Sequence, residues 1–177
     1  MPEFILDDTG TVDGRDFADL DAFTRGYIEA LFFTNQSSIP MVEFDSEESQ
    51  ERIREGQADG DLPNDSGFSD LHPSSLESII ADCARFQEVA APLLSLAYEL
   101  DDYSPEQAGR DFLYTRNGHG VGFWDRKELA DSFTSSGQTY GDALSALCGW
   151  RTPFGEVNAS FESDESSPTG YGFVHLF

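Results

Sequence analysis

The sequence predicts an α+β fold: a small antiparallel sheet built from two hairpins, two or three helices packed on it, and an acidic insertion. Three observations carry that prediction. Apolar residues recur at three- and four-residue steps through Leu20 to Phe33 and Leu76 to Ala97, the spacing of amphipathic helices. Short alternating segments flank Asn117-Gly118 and recur at the C-terminus, the pattern of strands. Hydrophobic residues make up 38% of the 177, with 15 Phe, enough for one domain spanning residues 1–177 to bury a core.

Phe4-Ile5-Leu6 reads as a short strand or extended arm, followed by a loop over 7–14. From Leu20, the residues Phe23, Tyr27 and Leu31 line one helix face, with Asp19 or Asp21 as cap, and Ile28, Phe32 and Phe33 widen it. Residues 43–70 interrupt the pattern. Ten acids there oppose only Arg52 and Arg54, a net charge of −8, and the composition fits a short helix near Ser46 to Glu55 as well as an acidic loop.

His72-Pro73-Ser74 opens the main core helix, since Pro suits a first turn and Ser74 with Glu77 matches a capping box. Pro92 lies inside its periodic run, so a kink or break is expected there. Ser104 to Gln107 is a second capping start, and Gly109 closes it after about one turn. Residues 111–116 and 121–125 then alternate about Asn117-Gly118, which predicts a β-hairpin with His119 and Gly120 near its tip. A short helix over Thr139 to Cys148 ends at Gly149, and Glu156 to Glu162 with Tyr171 to Phe177 forms a terminal hairpin.

The densest stretch is Gly109-Arg110-Asp111-Phe112-Leu113-Tyr114-Thr115-Arg116-Asn117-Gly118-His119-Gly120-Val121-Gly122-Phe123-Trp124-Asp125-Arg126, which also holds three of the ten basic residues. It resembles the recurring segment G-x-D-F-W-x-T-R-N-G-H-G-x-G-F-W-D of an uncharacterised family of small bacteriophage and mobile-element proteins. Asp82 to Phe86 and Tyr27 to Leu31 are similar to that family too. Leu113 stands where Trp is common, and the acidic insertion and longer C-terminal region depart from the pattern. The resemblance implies a phage or mobile-element origin and names no activity.

Charge narrows the function classes. Thirty-four Asp and Glu against ten Lys and Arg leave −24, which repels phosphate backbones and anionic lipid. Direct binding to nucleic acid or to a membrane is therefore disfavoured, and basic proteins or cations are the favoured partners. No apolar run approaches a membrane span and no basic, apolar leader opens the chain, so the expected location is the cytoplasm of a bacterial host cell. Cys83 and Cys148 read as free thiols.

His119 with Asp111, Asp125, Arg116 and Tyr114 assembles parts for acid–base chemistry, but no nucleophile elbow, phosphate loop or HExxH accompanies them. The three histidines are too scattered to define a metal set, and the loop 59–65 lacks the ordered spacing of a calcium site. The expectation is a non-enzymatic protein without cofactor or metal. Salt adaptation of an acidic, lysine-poor chain is one reading of the charge, and nucleic-acid mimicry is the other main one. At one charge per 1.7 Å of duplex, 24 charges correspond to roughly 40 Å, or about 12 base pairs. The partner expected on that reading is a basic nucleic-acid-binding protein such as a CRISPR effector or restriction nuclease. The acidic contact residues would be Glu43, Asp45, Glu47, Glu48, Glu51, Glu55, Asp59, Asp61, Glu162, Asp164 and Glu165. A second contact is expected at the central hairpin through Arg116, Asn117, His119 and Trp124, with Phe123 and Trp124 as an apolar anchor. The sequence leaves oligomeric state open.

Overall fold

The computed structural model describes residues 10–58, 60–149 and 151–177; the strand expected at Phe4-Ile5-Leu6 lies outside them. Among the described residues are seven α-helices and two antiparallel two-stranded sheets, an α+β fold. The chain divides into two compact units. One comprises residues 10–20, 31–78 and 158–177 of the described chain, the other residues 21–30 and 79–157, so α1 (Ala22–Asn35) and α4 (Pro73–Ala97) contribute to both.

The first unit opens with a minimal hairpin, β1 (Thr11–Val12) and β2 (Arg15–Asp16). Its turn uses Asp13 at φ 50° and Gly14 at φ 76°, the two positive angles of a type I′ connection. Short helices α2 (Met41–Phe44) and α3 (Glu47–Arg54) follow, and Ser46 caps α3 by accepting from Ser49 N at 3.2 Å. Ile39, Phe44 and Ala58 form a buried cluster on which Ile53 and Phe161 pack. The acidic insertion is therefore folded: it follows the helical alternative over 46–55, because its sparse apolar residues are placed to share one core. The terminal hairpin forms as expected, β3 (Ala159–Ser163) with β4 (Gly172–Leu176), registered Phe161 to Val174. A backbone bond from His72 N to Val174 O (3.0 Å) and a bond from Leu176 N to the Ser75 side-chain Oγ (3.1 Å) join β4 to the start of α4.

The second unit is helical and aromatic. It combines the first part of α1, the body of α4, α5 (Pro105–Arg116), α6 (Lys127–Ala130) and α7 (Tyr140–Ser145). Phe86 stacks on Phe112 at 4.1 Å between centroids, and Phe23, Phe123 and Phe154 surround that pair at 5.2–5.9 Å. Such offset and edge-on aromatic pairs add about 0.5–1.5 kcal/mol each beyond the area they bury. A short helix forms where expected, with Thr139 as its cap accepting from Asp142 N at 3.0 Å, although α7 ends earlier than the predicted helix.

The central hairpin is not formed. Residues 105–116 are one continuous helix, and 123–125 is a single 3-10 turn rather than a strand. Three physical reasons account for this. Asp111, Phe112, Leu113, Tyr114 and Arg116 are all buried, so six alternating letters do not mark one wet face and one dry face. Gly109 does not close the helix, because its missing side chain admits the backbone of α1. Asn117-Gly118 serves as a helix C-terminus: only Gly118 takes a positive φ, 67°, while Asn117 stays at −91°. His119 N bonds to Tyr114 O (2.9 Å) and Gly118 N to Thr115 O (3.3 Å), the paired closure of a Schellman motif.

Pro92 likewise does not break α4, which runs on through Ala97. Pro92 and Glu88 are both exposed, so the carbonyl that loses its helical donor lies on the solvent side. The fold class holds, but its two hairpins form separate sheets near the two ends of the chain, and a helix stands where the central hairpin was expected.

Candidate functional site

Unpaired acidity concentrates in the first unit. Its described residues hold 16 acids against 3 arginines, a net charge of −13, whereas the second unit's hold 14 acids against 7 basic residues, a net charge of −7. The second unit matches four of its six arginines to carboxylates: Arg25 to Glu106, Arg110 to Glu29, Arg116 to Asp82 and Arg126 to Asp111. In the first unit Arg52 instead donates to Ser38 Oγ (3.1 Å) and Arg54 to Gln50 O (3.1 Å), both neutral oxygens. Among the described residues, the acids predicted as contacts form no ion pair with Arg or Lys.

Glu43, Asp45, Glu47, Glu48, Glu51, Glu55, Asp61, Glu162, Asp164 and Glu165 are all exposed; Asp59 lies outside the described residues. Folding brings together acids that are over a hundred positions apart. Phe44 packs edge-on against Phe161 at 5.4 Å, and Ser163 donates to the Asp45 carboxylate. Glu43 and Asp45 thereby adjoin the strand carrying Glu162 and the turn carrying Asp164. On α3, Glu47 and Glu51 stand four residues apart, about 6 Å along the axis, with Glu55 one such step further at the C-cap. Glu47 and Glu48 suit the positive end of the helix, but Glu51 and Glu55 gain nothing from it. Hydrogen bonds from Ser166 hold the Asp164 carboxyl below its ordinary value, its backbone N–H at 2.8 Å. His175 Nε2 lies 3.9 Å from Glu162, and His72 stacks on His175 at 4.6 Å between centroids, so two imidazoles border this edge of the surface.

The central segment is mostly interior. Arg116 is buried, donating to Gly155 O at 2.7 Å, Asp82 at 2.9 Å and Tyr27 Oη at 3.1 Å, with its guanidinium 5.1 Å above the Phe112 ring. Asn117 exchanges two bonds with the backbone of Val157. Both predicted contact residues are thus engaged in holding the chain, and Phe123, half of the expected anchor, is fully buried. Trp124 alone of that group is well exposed, at 47%. Asp111 has no exposure, accepting from Arg126 at 2.6–3.0 Å, Gln107 at 2.9 Å and Tyr103 Oη at 3.1 Å. Burial pushes its carboxyl up, and the hydrogen bonds and charge of Arg126 oppose that rise. The acid–base parts expected around His119 are therefore distributed: Asp111 pairs with Arg126, and Arg116 with Asp82. What sequence reasoning missed is the pairing of Asp111 with Arg126, which stands 15 positions away with no signal in the chain between them.

His119 is half-buried, its ring edge-on to Tyr114, and its Nε2 is buried without a hydrogen-bond partner. Desolvation pushes its imidazole below the ordinary value, with Glu156 opposing. Because the unfolded state then binds the proton more readily, the neutral ring supports folding fully above about pH 6.5, and that support is lost as pH falls below it. In denaturant titrations, the stability difference between the parent and His119→Gln is expected to narrow from about pH 7.5 to about pH 5.5, across the range where histidine changes charge. A difference constant over that range would remove this account of the ring.

The chain matches no family model, no curated protein and no solved structure. Among the described residues, no helix is long and apolar enough to cross a membrane, and no group of three or more His, Cys, Asp or Glu is arranged to hold a metal ion. Cys83 and Cys148 are free, and burial pushes both thiols up, Cys148 to about 12.

Proposed function

We propose that this chain is an acidic, non-catalytic inhibitor, encoded by a phage or mobile element, that occupies the basic nucleic-acid groove of a host defence nuclease in the bacterial cytoplasm. The class is that of anti-CRISPR or antirestriction proteins. The observation that most supports the reading is the convergence of α2, α3 and the β3–β4 turn into one surface of carboxylates without Arg or Lys partners. A fold that only needed solubility could pair acids with its arginines, as the second unit does at Glu29, Asp82, Glu106 and Asp111. Exposed carboxylates held on short, core-anchored elements instead present fixed negative charge to an incoming basic surface. Competition is then electrostatic and steric: carboxylates replace phosphates against Arg and Lys of the groove.

The test is an affinity pull-down from host lysate at low and high salt, followed by binding measurements on the captured nuclease. Affinity is expected to fall as salt rises from about 0.1 to about 0.5 M, since the contacts are between screened charges. Glu47→Lys, Glu48→Lys and Glu51→Lys combined should weaken the complex by on the order of 100-fold at low salt, with the circular dichroism spectrum retained. A complex that is indifferent to both salt and the triple reversal would sink the proposal.

A further inference from the structure

The outward face of α4 differs from the rest of this acidic molecule. From Ala81 to Leu96, the exposed residues are Ala81, Ala84, Arg85, Glu88, Val89, Ala91, Pro92, Ser95 and Leu96. Two carry charge, one of each sign, over about 24 Å of helix. Val89 is 52% and Leu96 42% exposed, large apolar side chains left in water on a helix whose opposite side supplies the aromatic core. Pro92 adds to the apolar surface at the position where the helix forgoes a hydrogen bond.

We propose that this face binds a second copy of the chain, α4 against α4, antiparallel about a two-fold axis passing between residues 86 and 87. The charges select that partner and that register. Arg85 and Glu88 form no ion pair with each other; Arg85 lies 5.8 Å over the Phe154 ring, and among the described residues Glu88 pairs with no cation. Under the two-fold, Arg85 of each copy stands opposite Glu88 of the other, so both charges are answered twice by one symmetry operation. The same register sets Val89 opposite Ala84 and Pro92 opposite Ala81, large against small. A contact through the acidic surface of the first unit would bring like charges together, because its described residues alone carry −13.

Charge also sets the strength. A single helix face offers far less than the roughly 800 Å² per partner of a stable interface, and the two copies repel at long range. The dimer is accordingly weak at low ionic strength and gains from added salt, which screens the repulsion and strengthens apolar burial. That sign is opposite to the one expected for binding to a basic groove, so the two proposals succeed or fail independently.

Sedimentation velocity of the full chain over a concentration series, at low and at high sodium chloride, reads the result. The expected outcome is a monomer that converts to dimer as concentration and salt rise. Arg85→Glu or Glu88→Arg alone should shift the midpoint at least tenfold to higher concentration, and the two together should restore it, since the opposed pairs are re-formed in exchanged positions. Val89→Glu should abolish the dimer, and circular dichroism of each variant reports that the helix is retained. A chain that stays monomeric throughout would overturn the proposal, and so would a dimer unmoved by Val89→Glu, or single reversals not rescued by the double. Persistent monomer would leave the face to a partner of different sequence.

Discussion

Gly109→Ala is expected to destabilise the protein by at least ~3 kcal/mol, the upper part of the range for overpacked sites. The reason is a reciprocal crossing of α1 and α5. A Cβ at Gly109 would stand 1.9 Å from the carbonyl oxygen of Phe23, and one at Gly26 would stand 2.0 Å from that of Glu106. In both cases the obstruction is main chain, which no rotamer change relieves, so the helices must separate and the Phe23, Phe86 and Phe112 rings must lose contact. The helix preference of alanine works in the opposite direction but supplies only about 1 kcal/mol. At a few degrees per kcal/mol for a chain of this size, the melting temperature should fall by on the order of 10 °C. Gly120→Ala is the control, since nothing lies within 4 Å of its added carbon and its φ lies outside the left-handed range. If the two variants melted within about 2 °C of each other, against the spread expected from these mechanisms, the close crossing would be disproved.

Arg126→Ala is expected to cost about 3–5 kcal/mol, because it strips the counter-ion from a carboxylate with no solvent exposure. Gln107 and Tyr103 still donate to Asp111, but neither carries charge. The effect should depend on pH in a defined direction. Burial already raises the Asp111 carboxyl, and without Arg126 nothing of comparable strength opposes the rise. A carboxyl raised in the folded state favours folding fully below its unfolded value near 3.9, and that support is lost as pH rises through the folded value. The deficit of Arg126→Ala against the parent is therefore largest near neutrality and shrinks towards pH 4 in urea titrations. A deficit under about 1 kcal/mol at pH 7, the usual worth of an exposed pair, would mean that water reaches Asp111 and that the pair is not buried.

How far the fold was legible depended on the range of the interaction involved. Capping by Asp21, Ser46, Ser104 and Thr139 rests on side chains bonding to backbone three residues away. Each such signal is local and visible in the sequence, although Ser46 shared its segment with a loop reading. Asp13-Gly14 carries an equally local hairpin signal, and taking 7–14 as a loop passes over it. The central segment failed for a different reason. Asn-Gly supplies the positive backbone angle for a hairpin turn and for a helix terminus alike, and the flanking residues are too uniformly buried for periodicity to decide between them. Gly109 has the same ambiguity: in sequence a stop, in space the opening that lets another helix approach.

For the candidate surface, composition established how much charge there is and located its main concentration at 43–70, while the 162–165 segment could only be named alongside it. Their adjacency depends on Phe44 meeting Phe161 and on Ser163 bonding to Asp45, 118 positions away. Arg116 and Asn117 looked available because basic and polar residues are usually exposed; the structure buries the guanidinium against Phe112 and answers it with Asp82 and Gly155 O.

The sequence by itself determined the α+β class, the two long helices, the terminal hairpin and the strongly negative charge, since periodicity, capping and composition act within a segment or over the whole chain. Only the tertiary structure decided that residues 105–116 are helical, which acids share a surface, and which arginines are paired. Those outcomes depend on contacts between residues far apart in sequence, such as Arg110 with Glu29 across 81 positions, and a side chain's surroundings exist only once its distant neighbours have arrived.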